Sequence, residues 1–194
     1  MDELARYYKE SLLAGLCGEY KGRWQATHGD KEGLMRMMMT QQALPHFMTF
    51  AHEGRGLSKD FFTTYFADYI NGRYVGLDVD GVEGGYRTQV YAAEEGDLSL
   101  SDDVSCIMWS NIPSARIKSC KAAKIYIGCG SDVHLVCEGF NTVTVMLFDE
   151  SRVTLDEVDR ESRVNIYRYS DRCSVQRGEH CFGKVNEHQK ELRL

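Results

Sequence analysis

From Ile125 onward apolar residues come in pairs two apart: Ile125 and Ile127, Val133 and Leu135, Val143 and Val145, Val153 and Leu155, Val164 and Ile166. A period of two is the pattern of a strand with one buried face. Continuing the series at both ends adds Ile117 with Ser119 and Cys173 with Val175, and the first members then lie 8 to 11 residues apart. Strands this short, with five or more residues between them, do not suit a meander, which favours longer strands joined by tight turns. They suit a coil, in which equivalent residues stack on the next turn about 4.8 Å away. Two steps make one turn of about 16 to 22 residues. The pattern predicts a flattened or three-sided β-helix of three to four turns, its Val and Ile columns buried as continuous ladders. Small polar residues (Asn141, Ser151, Ser162 and Asp171) stand just before the later pairs.

The first 70 or so residues carry a helical period instead. Leu4, Tyr8, Leu12, Leu16, Tyr20 and Trp24 recur every fourth residue and predict one apolar helical stripe, interrupted by Gly15, Gly18 and Gly22. Asp30 is placed to cap a helix through "KEGLMRMMMTQQAL", Pro45 separates it from a segment holding Phe47 and Phe50, and Ser58 is placed to cap "KDFFTTYFADYI" before a stop at Asn71-Gly72. Strand-like runs around a Gly-rich turn follow, which predicts a hairpin between Arg73 and Leu100. The expected organisation is a helical region at 1–72, a β connector at 73–112, β-solenoid repeats at 113–178 and a polar C-terminal tail at 179–194. The fold class is therefore α+β: a helical N-terminal region followed by a short C-terminal β-solenoid, a single-stranded β-helix.

Composition narrows the function. An apolar share of 43% and a charged share of 27% belong to a globular chain, and no apolar run approaches the length of a membrane span. The start, "MDELARYYKE", lacks the basic and apolar regions of a secretory signal, so a cytoplasmic location is expected. A formal net charge of −6 argues against nucleic acid and against an acidic membrane surface as partners. Seven cysteines with no Cys-x-x-Cys spacing argue against a disulfide framework and a ribbon-type zinc site. Cys129 and Cys137 follow Ile125 and Val133 by the same interval, with Cys120 near that register, and predict a column of stacked small residues.

The triplets "NTVTV", "SRVTL" and "SRVNI" resemble the Ser-x-Val-x-Val-like β-solenoid tails of uncharacterised bacterial proteins of Bacteroidales and their phages. The resemblance covers roughly residues 113 to 178. It implies the architecture and a mobile-element or phage origin, and it carries over no catalytic residue.

Five of the seven residues standing before the triplets are basic: Arg116, Lys124, Arg152, Arg163 and Arg172. If the steps stack, these draw a cationic stripe on an acidic protein, a dock for a protein or an acidic ligand such as phosphate or a glycan sulfate. The plain alternative is a solvated face whose charge is offset by neighbours such as Glu150, Asp156 and Glu157. "DVDGVEGG" (Asp78, Asp80, Glu83) has the beginning of a calcium loop without its closing glutamate, and reads as turn chemistry. His180, Cys181 and His188 read as part of a capping tail, and the run Met35 to Met39 as helical core. No Gly-x-Ser-x-Gly, P-loop, Rossmann or His-Glu-x-x-His pattern is present, so no catalytic residue, metal ligand or cofactor is assigned. The expected function is a non-enzymatic binding or assembly module. The second reading is a carbohydrate-active or carbohydrate-binding β-helix protein, for which Asp132, Asp149 and Asp156 are the available carboxylates. A solenoid whose last rung is followed only by the tail exposes an edge, so a homo-oligomer is expected unless Phe182 plugs it.

Overall fold

The alternating pairs do wind into a coil. A computed structural model describes residues 3–14, 18–27, 30–40, 43–70, 73–77, 83–101, 104–119 and 122–191. Five helices come first: α1 (Glu3–Leu13), α2 (Gly18–Ala26), α3 (Lys31–Met38), α4 (Ala43–His52) and α5 (Lys59–Tyr65). Twelve strands follow: β1 (Arg73–Leu77), β2 (Glu83–Ala92), β3 (Leu98–Leu100), β4 (Val104–Met108), β5 (Asn111–Lys118), β6 (Ala123–Gly128), β7 (Asp132–Glu138), β8 (Thr142–Leu147), β9 (Arg152–Val158), β10 (Arg163–Arg168), β11 (Ser174–Cys181) and β12 (Lys184–Gln189).

The even strands and β1 form one sheet in the order β1-β2-β4-β6-β8-β10-β12, here called sheet A; the odd strands form sheet B, in the order β11-β9-β7-β5-β3. Only β1 and β2 are antiparallel, which is the expected hairpin; the other pairings are parallel. Each turn of the coil thus lays one strand in each sheet, and the solenoid is two-sided with roughly five turns. The parallel ladder begins at Thr88 opposite Val104, earlier than the repeats suggested, and the polar tail supplies β12, which extends sheet A beyond β10. Phe182 is not a plug: it is 59% exposed. Among the described residues no strand pairs with the outer edges of β11 or β12.

Between the sheets lies one apolar core. All ten inward residues expected from the paired pattern, Ile125 through Ile166, belong to it and are essentially inaccessible to water. The ends of the series are out of register, and so is the step from β6 to β8, where Val143 stacks on Ala123 and Val145 on Ile125. Ile112, Ala115 and Ile117 stack on Val133, Leu135 and Cys137, so Ile117 is the third inward residue of β5, and Ser119 is a corner. Likewise Val175 stacks on Val153, which leaves Cys173 at a corner. The expected cysteine column does not form either. Cys137 faces the solenoid core, Cys129 sits on the helical side, and Cys120 lies outside the described residues.

The corners explain the small polar residues. Trp109, Cys129 and Asp149, twenty residues apart, all adopt positive φ (51°, 56° and 61°), as do Ser119 and Gly139 at the opposite corner (48° and 76°). A left-handed residue lets the chain turn sharply out of one sheet and into the other. The serines beside them satisfy the freed backbone groups: Ser131 Oγ donates to the Gly128 carbonyl at 2.7 Å and accepts from the Ser110 amide at 3.2 Å. Asn141 Nδ2 donates to Ser162 Oγ at 3.1 Å, and both are buried. Asp171, by contrast, is exposed.

The helices cover the outer face of sheet A. Asp30 accepts from the Gly33 amide at 2.8 Å and Ser58 from the Phe61 amide at 3.2 Å, the two caps expected, while Pro45 falls in the first turn of α4, where its missing N–H costs nothing. The proposed stop at Asn71-Gly72 lies outside the described residues. Met35, Met37, Met38, Met39, Phe47, Met48 and Phe62 form a second core with Cys106, Met108, Tyr126, Met146 and Phe148 of sheet A. The expected N-terminal stripe is broken into α1 and α2 and is out of phase: Tyr7 and Ser11 are buried, whereas Leu12 is 36% exposed. Trp24 is half-buried and packs its ring against Tyr7 and Tyr8. Leu16 and the Tyr20 side chain lie outside what is described.

Candidate functional site

Parallel stacking decides where each basic residue of the repeats ends up. Arg116 is on β5 and Arg152 on β9, both on the outer face of sheet B, while Lys124 on β6 and Arg163 on β10 belong to sheet A. Arg172 sits in the loop between β10 and β11. The five therefore draw no common stripe. Three are tied to acids on a neighbouring turn: Arg116 to Glu138, Arg152 to Asp132 at 3.4 Å, and Arg172 to Glu150 at 2.6 Å. With His134 bonded to Asp156 at 2.8 Å, they staple one turn to the next. Of the acids available to a carbohydrate-active reading, Asp132 and Asp156 are engaged in these pairs on sheet B, whereas Asp149 is at a corner on the helical side. The calcium-like Asp78 and Asp80 lie outside the described residues. Among the described residues, no group of three or more His, Cys, Asp or Glu is placed to hold a metal ion.

Arg163 is different. It opens β10 in register with Lys184, which opens β12, and both are exposed. Alternation along the strands puts Asn165 and Tyr167 on the same outward face as Arg163, and Asn186 and His188 on the same face as Lys184. Asn186 Nδ2 donates to Asn165 Oδ1 at 2.8 Å, and the Tyr167 and His188 rings stack at 4.9 Å between centroids, 19° from parallel. The helices lie over the earlier turns, with α4 against β6 and α3 beside β1; Tyr167 packs against the edge of that helical core, and Arg163, Lys184 and His188 beyond it are exposed, so this last stretch of sheet A forms a strip open along its outer side.

The strip runs into a cleft of about 620 Å³ where the end of α4 meets the solenoid corner. Its lining includes Glu53, Asp149, Tyr169, Asp171, Lys190 and Glu191. Tyr169 stacks on Phe148 at 4.8 Å and 8°, which fixes the aromatic wall. Asp149 Oδ2 accepts from the Cys129 amide at 3.1 Å. Burial raises its carboxyl above the usual range; the Cys129 amide and the nearby His52 pull it down, Glu53 pushes it up, and Arg172 pulls it down. Cys173 donates its thiol proton to the Asp149 carbonyl at 3.3 Å, and burial pushes that thiol up to about 11. Burial raises Cys106 and Cys129 as well, and both pack within the helical core.

Lys184, Asn186 and His188 were missed as site residues because the tail was read as polar. A signal was present: "KVNEHQK" (184–190) follows "RVNIYRY" (163–169) position by position, basic residue, Val and Asn included. The helical contribution to the cleft, Thr49 and Glu53, carries no such signal. No helix among the described residues is long and apolar enough to cross a membrane. Compared with known proteins, the chain matches no family model, no curated protein and no solved structure.

Proposed function

We propose that the protein is a non-enzymatic binding module that takes an acidic ligand on the open strip of sheet A. The observation that carries this reading is the in-register pair Arg163 and Lys184. Like charges opposite one another on neighbouring strands cost stability. Arg116, Arg152 and Arg172 each meet an acid on the neighbouring turn, and at this position the solenoid places a second cation beside the first. An anion bound between them removes the repulsion. The asparagine pair and the Tyr167–His188 stack next to it offer hydrogen bonds and a rigid apolar edge, the mixture that orients a ligand. Two further features favour binding over chemistry: one oxygen of the Asp149 carboxyl group already accepts from a backbone amide, and Cys106, Cys129 and Cys173 are buried in packed surroundings.

A titration of the full chain with inorganic sulfate, followed by amide NMR, tests the reading. Shifts are expected to cluster at Arg163, Asn165, Lys184 and Asn186 and to vanish in the Arg163→Ala/Lys184→Ala double variant. Shifts confined to sheet B, or none at all, would overturn it.

A further inference from the structure

The strip and the cleft are continuous, and their charges differ. Residues 163, 165, 167 and 169 face outward along one strand line, as do 184, 186, 188 and 190 along the next, which gives a track roughly 20 Å long at ~3.3 Å per residue. One end holds the cations Arg163 and Lys184. The other end holds four carboxylates, Glu53, Asp149, Asp171 and Glu191, against Lys190 and an Arg172 already paired with Glu150. Glu53 is itself bonded to Arg55.

Resting on the acidic-ligand reading, we infer that the track binds an acidic oligosaccharide with its single anionic group on Arg163 and Lys184 and its uncharged sugar rings running over Tyr167 and His188 into the cleft. Three properties select this class. First, the Asn186-to-Asn165 hydrogen bond leaves Asn165 Nδ2 as a donor and Asn186 Oδ1 as an acceptor side by side. A hydroxyl satisfies both at once, whereas a phosphate or sulfate oxygen only accepts. Second, the cleft carboxylates accept hydrogen bonds, and a sugar supplies hydroxyl donors densely along its length while an extended peptide offers one amide per residue. Third, the same carboxylates repel a ligand charged along its whole length, so a uniformly anionic polymer meets a favourable end and an unfavourable one.

Calorimetric titrations of the full chain at about 0.15 M salt decide the matter, using four probes: a linear trisaccharide ending in one glucuronate, its methyl ester, a heavily sulfated heparin oligosaccharide and an Asp/Glu-rich peptide. The glucuronate trisaccharide is expected to bind about tenfold more tightly than the ester, since the ester loses a charge-assisted hydrogen bond, and more tightly than the other two. His188→Ala and Glu191→Gln, both at exposed positions, are expected to weaken the trisaccharide severalfold and to leave the sulfate shifts at Arg163 and Lys184 in place. If the peptide or the heparin fragment binds best, or if these two variants leave the trisaccharide unaffected, the sugar inference falls while the acidic-ligand reading stands. If neither sulfate nor any probe perturbs Arg163 and Lys184, both fall.

Discussion

The two sheets share one core and turn opposite kinds of surface outward. On sheet A the outward face of the earlier turns carries Cys106, Met108, Tyr126, Met146 and Phe148 under the helices, with the polar Lys124 and Thr144 at the strand starts. On sheet B the outward residues are Asp132, His134, Arg152, Thr154 and their neighbours, joined by ion pairs across the turns. The same backbone device, a corner every twenty residues, produces both faces. What differs is the set of outward residues that stack in register: Cys106, Tyr126 and Met146 on one side, His134 and Thr154 on the other. A solenoid of this kind specifies its coil with one residue set and its contacts with another.

The sharpest way to break the comparison is to put a charge on each face. Cys106→Asp sets an unpaired carboxylate between sheet A and the helices and should cost about 4 kcal/mol in chemical denaturation. Thr154→Asp on sheet B should cost less than ~0.5 kcal/mol. A smaller effect comes from Gly128, where an added Cβ would lie 2.7 Å from Met48 Sδ. Gly128→Val should push α4 off the sheet and cost roughly 2 kcal/mol, with loss of near-ultraviolet dichroism from the packed aromatics.

Asp149 tests the junction of the two regions through pH. Its carboxyl is raised in the folded protein, so the native state holds the proton more tightly than the unfolded chain does. The associated penalty is absent below the unfolded value near 3.8, grows as pH rises from there toward the folded value, and is constant above it. Asp149→Asn keeps an acceptor for the Cys129 amide and tolerates positive φ. The variant should therefore gain on the native protein as pH is raised above about 4, and the difference should shrink in acid; urea midpoints across that range measure it. The smallest effect belongs to sheet B: Arg152→Ser removes an exposed pair and should shift stability by under ~0.5 kcal/mol, with even that lost in high salt.

The inner columns were legible in the sequence because burial between two sheets demands strict alternation, and ten inward residues obey it without exception. The ends were less legible. At β5 the inward set is Ile112, Ala115 and Ile117, with a shift of register between Ile112 and Ala115, and a fixed two-residue period slides past such a shift. Near Cys173 a thiol occupies the corner where Ser131 and Ser151 stand on the preceding turns, so it imitated the start of a pair. The helical stripe failed for another reason: a four-residue spacing drifts around a helix of 3.6 residues per turn, and Tyr7 with Ser11, not Leu12, ended inside. The cationic stripe failed because successive triplets lie on opposite sheets. Arg163 alone of the five stayed with an in-register basic neighbour, and that neighbour lay in a segment whose repeat was hidden by Glu187 at an apolar position.

The helical layer also changes how the solenoid should come apart. A bare coil is a row of nearly equal units, each closing a loop of about twenty residues onto the one before. Such rows unfold in pieces, from the ends inward. Here the helices bridge many units: Met39 accepts from Thr88 on β2, Met48 meets Gly128 at the end of β6, and Tyr167 and Tyr169 still touch the same helical core. Units held by a common clamp must open together, so the middle of the coil should exchange its amide hydrogens only by global unfolding. Among the described residues the last unit, β11 and β12, pairs with one neighbouring turn and contributes nothing to the helical core. It is the part that opens first, and it carries half of the proposed binding strip, so ligand occupancy and the fraying of that end are two readings of one equilibrium.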